Sequence, residues 1–286
     1  MAKVTEVYSA SSGPVVLCDC TPPRSADPAA LDAVGAVGAD FVCVAYNPGK
    51  LPRADSTAAA LAIKSRTGTD VVFNLATRDM NKIALQSRLL SAQMLGLENV
   101  VVLQGDGFTP EESERVKAVN DYTPTALIAG AAAMNDGLDY RGSRLRGATS
   151  LCIGATFDLA RDLEREATLT QRKVEAGAHF LIAQPIYDLA VRHAFLQAYE
   201  RLAGEPLAIP VFWGVQVLDK DGIVLGNVPP ETREQLDAGR SGVDIAVDHL
   251  RALLADGVRG VYLVPPILRG GARDYEAARQ VLAAIQ

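Results

Sequence analysis

The sequence predicts a single-domain α/β protein of the (β/α)8 barrel type. One sequence pattern recurs five times: a helix-like stretch, a glycine suited to end the helix, two or three residues, and then an apolar strand. These glycines are Gly38, Gly68, Gly96, Gly177 and Gly257. The first three are 30 and 28 residues apart, which is the length of one βα unit.

Three further apolar runs, at residues 15–20, 150–157 and 210–218, bring the strand count to eight. Eight strands that alternate with helices over 286 residues fit a closed barrel. An open, doubly wound sheet is the rival, but no GxGxxG follows the first strand, and Gly49-Lys50 is not followed by Ser or Thr. No proline- or serine-rich linker divides the chain. We therefore expect one domain over residues 1–286, with its ligand site at the carboxyl ends of the strands.

Two helices can be outlined from their patterns. Residues 79–95 carry an apolar stripe that should face the sheet, and Thr77 and Asp79 are suited to cap the start. Residues 159–176 mix basic and acidic side chains, as on a solvated helix face.

Two irregular segments, residues 107–122 and 132–149, are expected as long excursions at the barrel ends. The second carries three arginines among glycines and is interpreted as either an ordered loop over a ligand or a mobile one.

Composition favours a small-molecule ligand. The formal charge is -6 and no run of Lys or Arg occurs, which argues against nucleic acid or an anionic membrane as a partner. No apolar run approaches the roughly 18 residues needed to span a bilayer, and the first residues lack the apolar core of a signal peptide. The expected location is the cytoplasm.

The four cysteines, Cys18, Cys20, Cys43 and Cys152, all lie within apolar strand-like runs. Their spacing is not that of CxxC, and Cys43 and Cys152 have no close Cys or His. Buried, reduced, structural thiols are expected, with a zinc site or a redox pair as the alternatives, and no metal site is predicted.

Polar residues at the carboxyl ends of the strands are the candidates for chemistry. They are Asp19, Tyr46, Asn47, Asn74, Thr77, Gln104, Asp106, Gln184, Tyr187 and Gln216. If Asp19 points into the barrel, alternation directs Cys18 and Cys20 outward, away from the carboxylate. A carboxylate within an apolar strand is costly unless paired or functional, so Asp19 is either catalytic or held by a structural hydrogen bond.

Asp106 ends the buried run NVVVLQGD at residues 99–106 and is either a functional carboxylate or a turn cap beside Gly105 and Gly107. The three histidines, His179, His193 and His249, lie away from the strand carboxyl ends, so core or surface roles are expected for them.

Two long stretches carry a resemblance to a known family. ATRDMNKIALQSRLLSAQMLGLENVVVLQGD (76–106) and RKVEAGAHFLIAQPIYD (172–188), supported by Pro22-Pro23 and the final GVRGVYLVPP, resemble the methylenetetrahydrofolate reductases. The resemblance implies a (β/α)8 barrel that holds FAD at its carboxyl-end face. NAD(P)H reduces the flavin, and 5,10-methylenetetrahydrofolate then takes its place and is reduced to 5-methyltetrahydrofolate.

The same resemblance implies roles for individual residues. Asp106 corresponds to an Asp beside the flavin and the pterin, where it steadies developing positive charge, and Asp19 stands where the family usually has a Glu thought to act as an acid. Both are expected to be catalytic. The expected folate-binding residues are Gln184, Asp106 and Gln216. The expected FAD-binding residues are Tyr46, Asn74, Gln104, Gly105, Asp106, Tyr122, Glu166 and Lys173.

The chain departs from the family at several positions. Gln104 replaces a usual Arg, Asn74 a usual His, and a further His is replaced near Asp158. Val264-Pro265-Pro266 stands where Thr-Leu-Asn-Arg is usual. Three activities therefore stay open: an FAD-dependent reductase, a flavin-free reductase, and a non-redox folate-binding subunit of a methyl-transfer system. A homo-oligomer or a methyl-transfer partner protein is the expected protein partner.

Overall fold

A computed structural model describes residues 1–285 of the chain, and eight parallel strands close into a barrel in the order β1 to β8. The predicted fold class is confirmed. The strands are β1 Val15–Cys20, β2 Phe41–Val44, β3 Asp70–Ala76, β4 Asn99–Leu103, β5 Cys152–Phe157, β6 Phe180–Pro185, β7 Val211–Gln216 and β8 Gly260–Val264. Closure is made by β1, which pairs with both β2 and β8.

Helices surround the barrel. They are α1 Val4–Ala10, α2 Asp32–Gly35, α3 Ser56–Thr67, α4 Lys82–Met94, α5 Pro110–Arg115, α6 Pro124–Asn135, α7 Leu163–Glu175, α8 Leu189–Ala203, α9 Pro230–Asp237, α10 Gly242–Ala255 and α11 Tyr275–Ala283. Short 3-10 turns occur at Pro28–Leu31 and Pro48–Lys50. Among residues 1–285, no helix combines the length and the apolar character that crossing a bilayer requires.

Two helices begin later than the sequence predicts. The cap of α4 is Asn81, whose side chain accepts a hydrogen bond from the Ala84 N–H at 2.9 Å. Asp79 does not cap it, because the carboxylate of Asp79 is bound by Arg78 at 2.6 and 2.7 Å. Asp162 caps α7 in the same way as Asn81 caps α4. In both helices the side-chain oxygen that accepts from the first turn sets the start.

The two irregular segments lie at opposite ends of the barrel. Residues 107–122 follow β4 and include the short helix α5, so they stand at the carboxyl-end face. Residues 132–149 begin as the last turn of α6 and lead into β5, which places them at the amino-terminal end. An antiparallel bridge between Leu138 and Arg144 orders this second segment. It therefore cannot cover a ligand at the carboxyl ends, and the interpretation of residues 132–149 as an ordered loop over a ligand is wrong.

A helix that the pattern did not reveal closes the amino-terminal end. Val4 of α1 is fully buried in the barrel interior, and its N–H donates to Asn99 Oδ1 at 3.0 Å. Tyr8 meets Phe212 edge to face, with ring centroids 5.8 Å apart. Because α1 fills this end of the barrel, a ligand would have to enter from the carboxyl ends of the strands.

The cysteines divide between two layers. Cys18 and Cys20 pack outward between strands and helices, as predicted, whereas Cys43 and Cys152 belong to the barrel interior. All four are buried free thiols. Burial raises the pKa of Cys20 to about 12, although a hydrogen bond from Tyr275 acts in the opposite direction.

Substituting Gly154 by Ala should destabilise the barrel by about 1–3 kcal/mol, because the interior is close-packed. A Cβ at this position would overlap the ring of Phe180 on the neighbouring strand. Urea denaturation provides the free energy of unfolding. The control is Gly147→Ala, where a Cβ meets nothing within 4 Å; equal stabilities for the two variants would contradict the packing argument.

The free energy of unfolding should fall as the pH rises above about 9, because the unfolded chain releases the Cys20 proton near the usual thiol pKa of 9.0 and the folded chain retains it until about 12. Cys20 alone accounts for about 1 kcal/mol between pH 8 and pH 10. Urea denaturation at both pH values measures the change. Cys20→Ala should show a correspondingly smaller fall; an identical fall would exclude this thiol as a cause.

Candidate ligand site at the carboxyl ends of the strands

A cavity of about 1230 Å³ opens at the carboxyl ends of the strands. Of the eleven residues expected to be catalytic or to bind folate or FAD, ten line it: Asp19, Tyr46, Asn74, Gln104, Gly105, Asp106, Tyr122, Glu166, Lys173 and Gln184. Among the other polar candidates, Asn47 lines the cavity, whereas Thr77 and Tyr187 do not. The cavity exceeds the roughly 300–1,000 Å³ typical of sites for drug-sized ligands. It therefore has room for a large ligand or for two smaller ones.

Basic side chains outnumber carboxylates in the cavity wall, six to four. The basic residues are Arg53, Arg78, Arg161, Arg165, Lys173 and Arg273, and the acidic ones are Asp19, Asp106, Asp158 and Glu166. The chain as a whole has a net charge of -6, so this local excess is opposite in sign to the rest of the molecule. Such a wall favours an anionic ligand.

The end of β4 presents Asp106 to the cavity. Gly105 adopts a φ of 85°, in the left-handed region that glycine tolerates, and so turns the chain sharply after the strand. Arg78 Nη1 donates to the backbone carbonyl of Asp106 at 2.8 Å, which fixes the backbone while leaving the carboxylate available to a ligand. Both Gln104 and Asp106 are exposed.

Arg78 is a structural residue that the sequence did not single out. Its side chain is 6% exposed, is paired with Asp79, and lies over the Phe108 ring at 4.5 Å from the centroid. The hydrogen bonds to Asp79 raise the pKa of this guanidinium, although burial opposes the shift. By joining the turns that follow β3 and β4, Arg78 supports the position of Asp106.

Asp19 is buried and fully engaged by side chains. Tyr262 donates its hydroxyl to Asp19 Oδ1 at 2.7 Å, and Arg273 donates from Nε to Oδ2 at 2.8 Å. Nη2 of the same guanidinium is also 2.8 Å from Oδ2. Burial, followed by the charge of Asp19, raises the pKa of Tyr262 well above its usual range. The carboxylate is thus paired, as the cost of burying it requires.

The wall formed by β5, β6 and α7 contains Lys173, Glu166 and Gln184. Lys173 Nζ donates to the Thr156 carbonyl at 2.7 Å, and burial lowers the pKa of this amine although nearby Glu166 raises it. Glu166 accepts a hydrogen bond from the Asp158 N–H at 3.3 Å. Gln184 lies at the end of β6, half-buried in the cavity wall.

Gln216 is the predicted site residue that lies outside the cavity lining. Its Oε1 accepts hydrogen bonds from the Leu225 N–H at 2.8 Å and the Tyr187 hydroxyl at 3.2 Å. Its Nε2 donates to the Ile223 carbonyl at 2.8 Å. These bonds hold the loop after β7, which itself lines the cavity through Ile223 and Leu225.

The histidines have the core and surface positions expected of them. His179 Nδ1 accepts a hydrogen bond from the Ile153 N–H at 2.9 Å, and exposed His193 binds Asp256. His249 is partly buried beside Tyr187, and its desolvation lowers its pKa. Over residues 1–285, no group of three or more His, Cys, Asp or Glu side chains is arranged to hold a metal ion.

The structure is thus a (β/α)8 barrel with a large cavity at its carboxyl-end face. The family model described as "Methylenetetrahydrofolate reductase" matches residues 14–265, so the chain belongs to that family. Among solved structures, it is similar to an uncharacterized protein from Clostridium thermocellum, described as binding two copies of 5-methyl-5,6,7,8-tetrahydrofolic acid. The TM-score is 0.63 at 12% identity, over 97% of this chain and 96% of the other.

Replacing Gln216 by Ala should loosen the loop after β7, since it leaves the Ile223 carbonyl and the Leu225 N–H without their partner and also removes the contact with Tyr187. We expect a loss of about 2 kcal/mol in the free energy of unfolding and faster proteolysis between residues 217 and 229. Limited proteolysis with mass spectrometry measures the second effect. Gln197→Ala, on the exposed face of α8, is the control; indistinguishable cleavage in the two variants would argue against the anchoring role.

Proposed function

We propose that this protein is an oxidoreductase that reduces 5,10-methylenetetrahydrofolate to 5-methyltetrahydrofolate with NAD(P)H. The observation that carries the proposal is the presence of Asp106 and Gln184 in the lining of one large cavity. These residues end the two strands whose sequences resemble the reductase family. The neighbour from Clostridium thermocellum is described as binding 5-methyltetrahydrofolic acid, the product of this reaction, which supports a folate ligand here.

The carboxylate of Asp106 suits one step of the reaction, the opening of the methylene bridge. Opening the methylene bridge of the folate creates positive charge, and a preorganised carboxylate beside it lowers the energy of that state. Asp106 faces the cavity, and its contact with Arg78 uses the backbone carbonyl and not the carboxylate. Gln184 supplies an amide that can both donate and accept, as recognition of a pterin edge requires.

The cavity wall suits FAD in charge and size. Arg161, Arg165 and Lys173 would hold its diphosphate, since cations on one wall attract phosphate oxygens. Tyr46, Asn74, Gln104, Gly105, Tyr122 and Glu166 would surround the rest of the cofactor. When bound, FAD would accept a hydride from NAD(P)H and deliver it to the folate.

An absorption spectrum of the purified protein, followed by titration with FAD, tests for the cofactor. A flavin spectrum together with NAD(P)H oxidation that depends on methylenetetrahydrofolate supports the FAD-dependent reaction. Turnover that persists in flavin-stripped protein would assign the hydride transfer directly from the nicotinamide to the folate. Absence of both FAD binding and NAD(P)H consumption would exclude the reductase.

A second candidate is a non-redox folate-binding subunit of a methyl-transfer system. The observation that favours it is the pairing of Asp19: both carboxylate oxygens already accept hydrogen bonds from Tyr262 and Arg273. Calorimetric titration with tetrahydrofolate and 5-methyltetrahydrofolate, with and without NAD(P)H, separates the two candidates. Binding without turnover supports the subunit, and turnover supports the reductase.

Substituting Asp106 by Asn should slow folate reduction about 10- to 100-fold, because the amide cannot stabilise developing positive charge. Oxidation of NAD(P)H with an artificial acceptor should change less, since that step does not involve the folate. Stopped-flow measurement of the two half-reactions separates the effects. The control is Asp136→Asn, the same loss of charge at the amino-terminal end of the barrel; equal slowing of both half-reactions by Asp106→Asn would point to a lost cofactor.

A further inference from the structure

The loops after β7 and β8, residues 217–229 and 265–274, form one wall of the cavity. We call these two segments the loop pair. Ile223 N–H donates to the Ile267 carbonyl at 2.7 Å, and Ile267 forms a second bridge with Arg273. Both isoleucines, together with Arg273, line the cavity. The two loops are thus joined to each other, and their position sets the shape of the site.

Two polar anchors attach the loop pair to the barrel. Gln216 holds the first loop by its hydrogen bonds with the Ile223 carbonyl and the Leu225 N–H. Asp19 holds the second loop through Arg273, and the two side chains are 6% and 7% exposed. The contact joins residues 254 positions apart in the chain, from β1 to the loop after β8.

Both carboxylate oxygens of Asp19 already accept hydrogen bonds from other side chains. Oδ1 accepts from Tyr262, and Oδ2 accepts from two nitrogens of Arg273. The carboxylate is therefore the acceptor in its contacts with both the guanidinium and the phenol. Tyr262 directs its hydroxyl proton to Asp19, so this side chain does not donate to the cavity either.

We propose that Asp19 is a positioning residue that, through Arg273, fixes the loop pair for folate binding, and that it is not the proton donor of the reaction. The proposal deepens the function proposed above and rests on it for the identity of the ligand. The attachment of residues 265–274 to β1 does not depend on the identity of the ligand, because it follows from the hydrogen bonds between Arg273 and Asp19. The proton needed to open the methylene bridge then comes from solvent and not from β1.

The test compares Asp19→Asn, Arg273→Gln and the double variant. Each single change leaves one charge of a buried pair without its partner, whereas the double change creates an uncharged amide pair that can still hydrogen-bond. We expect each single variant to bind 5-methyltetrahydrofolate about tenfold more weakly, while its turnover rate at saturating substrate stays within about threefold of the unmodified protein. The double variant should recover most of the affinity.

Limited proteolysis between residues 265 and 274 and the pH profile of the turnover rate complete the measurements. Cleavage should be faster in both single variants and slower again in the double variant, and the pH profile should not change. Arg273→Lys, which retains the charge but offers fewer donors, should fall between the unmodified protein and Arg273→Gln. The control on the same loop is Arg269→Met, which removes an 81% exposed side chain and its surface ion pair with Asp221 of the other loop at 3.0 Å. It should change affinity and cleavage little, because exposed ion pairs contribute about 1 kcal/mol or less.

Two results would overturn the proposal. One is a turnover rate that falls by about two orders of magnitude in Asp19→Asn, with unchanged affinity and no recovery in the double variant, as expected when a general acid is removed. The other is unchanged affinity and unchanged proteolysis in both single variants. If the unmodified protein binds no folate, the proposed function fails, while the proteolysis of the four variants still decides whether Asp19 anchors the loop.

Discussion

The alternation of side chains along eight closed parallel strands determines which groups can meet in this protein. On β1 it sends Cys18 and Cys20 to the helices and Asp19 to the interior. On β2 it turns Cys43 inward, where the thiol donates to Asn74 Oδ1 at 3.4 Å. Because α1 closes the opposite end, inward polar groups near the carboxyl ends are placed to contact a ligand, the surrounding loops or one another. Some of these side chains are available to bind a ligand, and others, such as Asp19, hold the loops in place.

Two aspartates show how environment assigns different tasks to the same side chain. Asp19 lies in the interior, where an unpaired charge is costly, and it is held by Arg273 and Tyr262. Asp106 lies at an exposed turn, where solvent stabilises its charge until a ligand displaces the water. The first carboxylate is committed to the fold and the second is available for chemistry. Gln216 and Gln184 divide in the same way, one tied to the loop after β7 and the other in the cavity wall.

The sequence was sufficient to predict the barrel and several polar residues of the cavity lining, because the barrel and the carboxyl ends of its strands depend on local patterns. Glycines at helix ends mark the start of five strands, and a polar residue after an apolar run lies at the ligand face. Partners distant in the chain could not be found in this way. Nothing near Asp19 in the sequence points to Arg273, and nothing near Gln216 indicates that its amide is taken up by a loop. The start of α4 was mispredicted for a different reason, since Asp79 is bound by the adjacent Arg78 and Asn81 caps the helix instead.

The barrel fold of this protein does not by itself determine its reaction. At 12% identity, the likeness to the protein from Clostridium thermocellum establishes a shared barrel and leaves the reaction to be decided by individual residues. Gln104, Asn74 and Asp158 replace usual contacts of the family, yet the cavity retains a net excess of cations, with Arg161 and Arg165 on the wall that also holds Lys173. An anionic ligand is attracted by the sum of these charges and not by a single side chain, because the field of a cleft adds over its whole lining. We therefore expect loss of single contacts to alter how an anionic ligand is oriented more than whether the cavity attracts it.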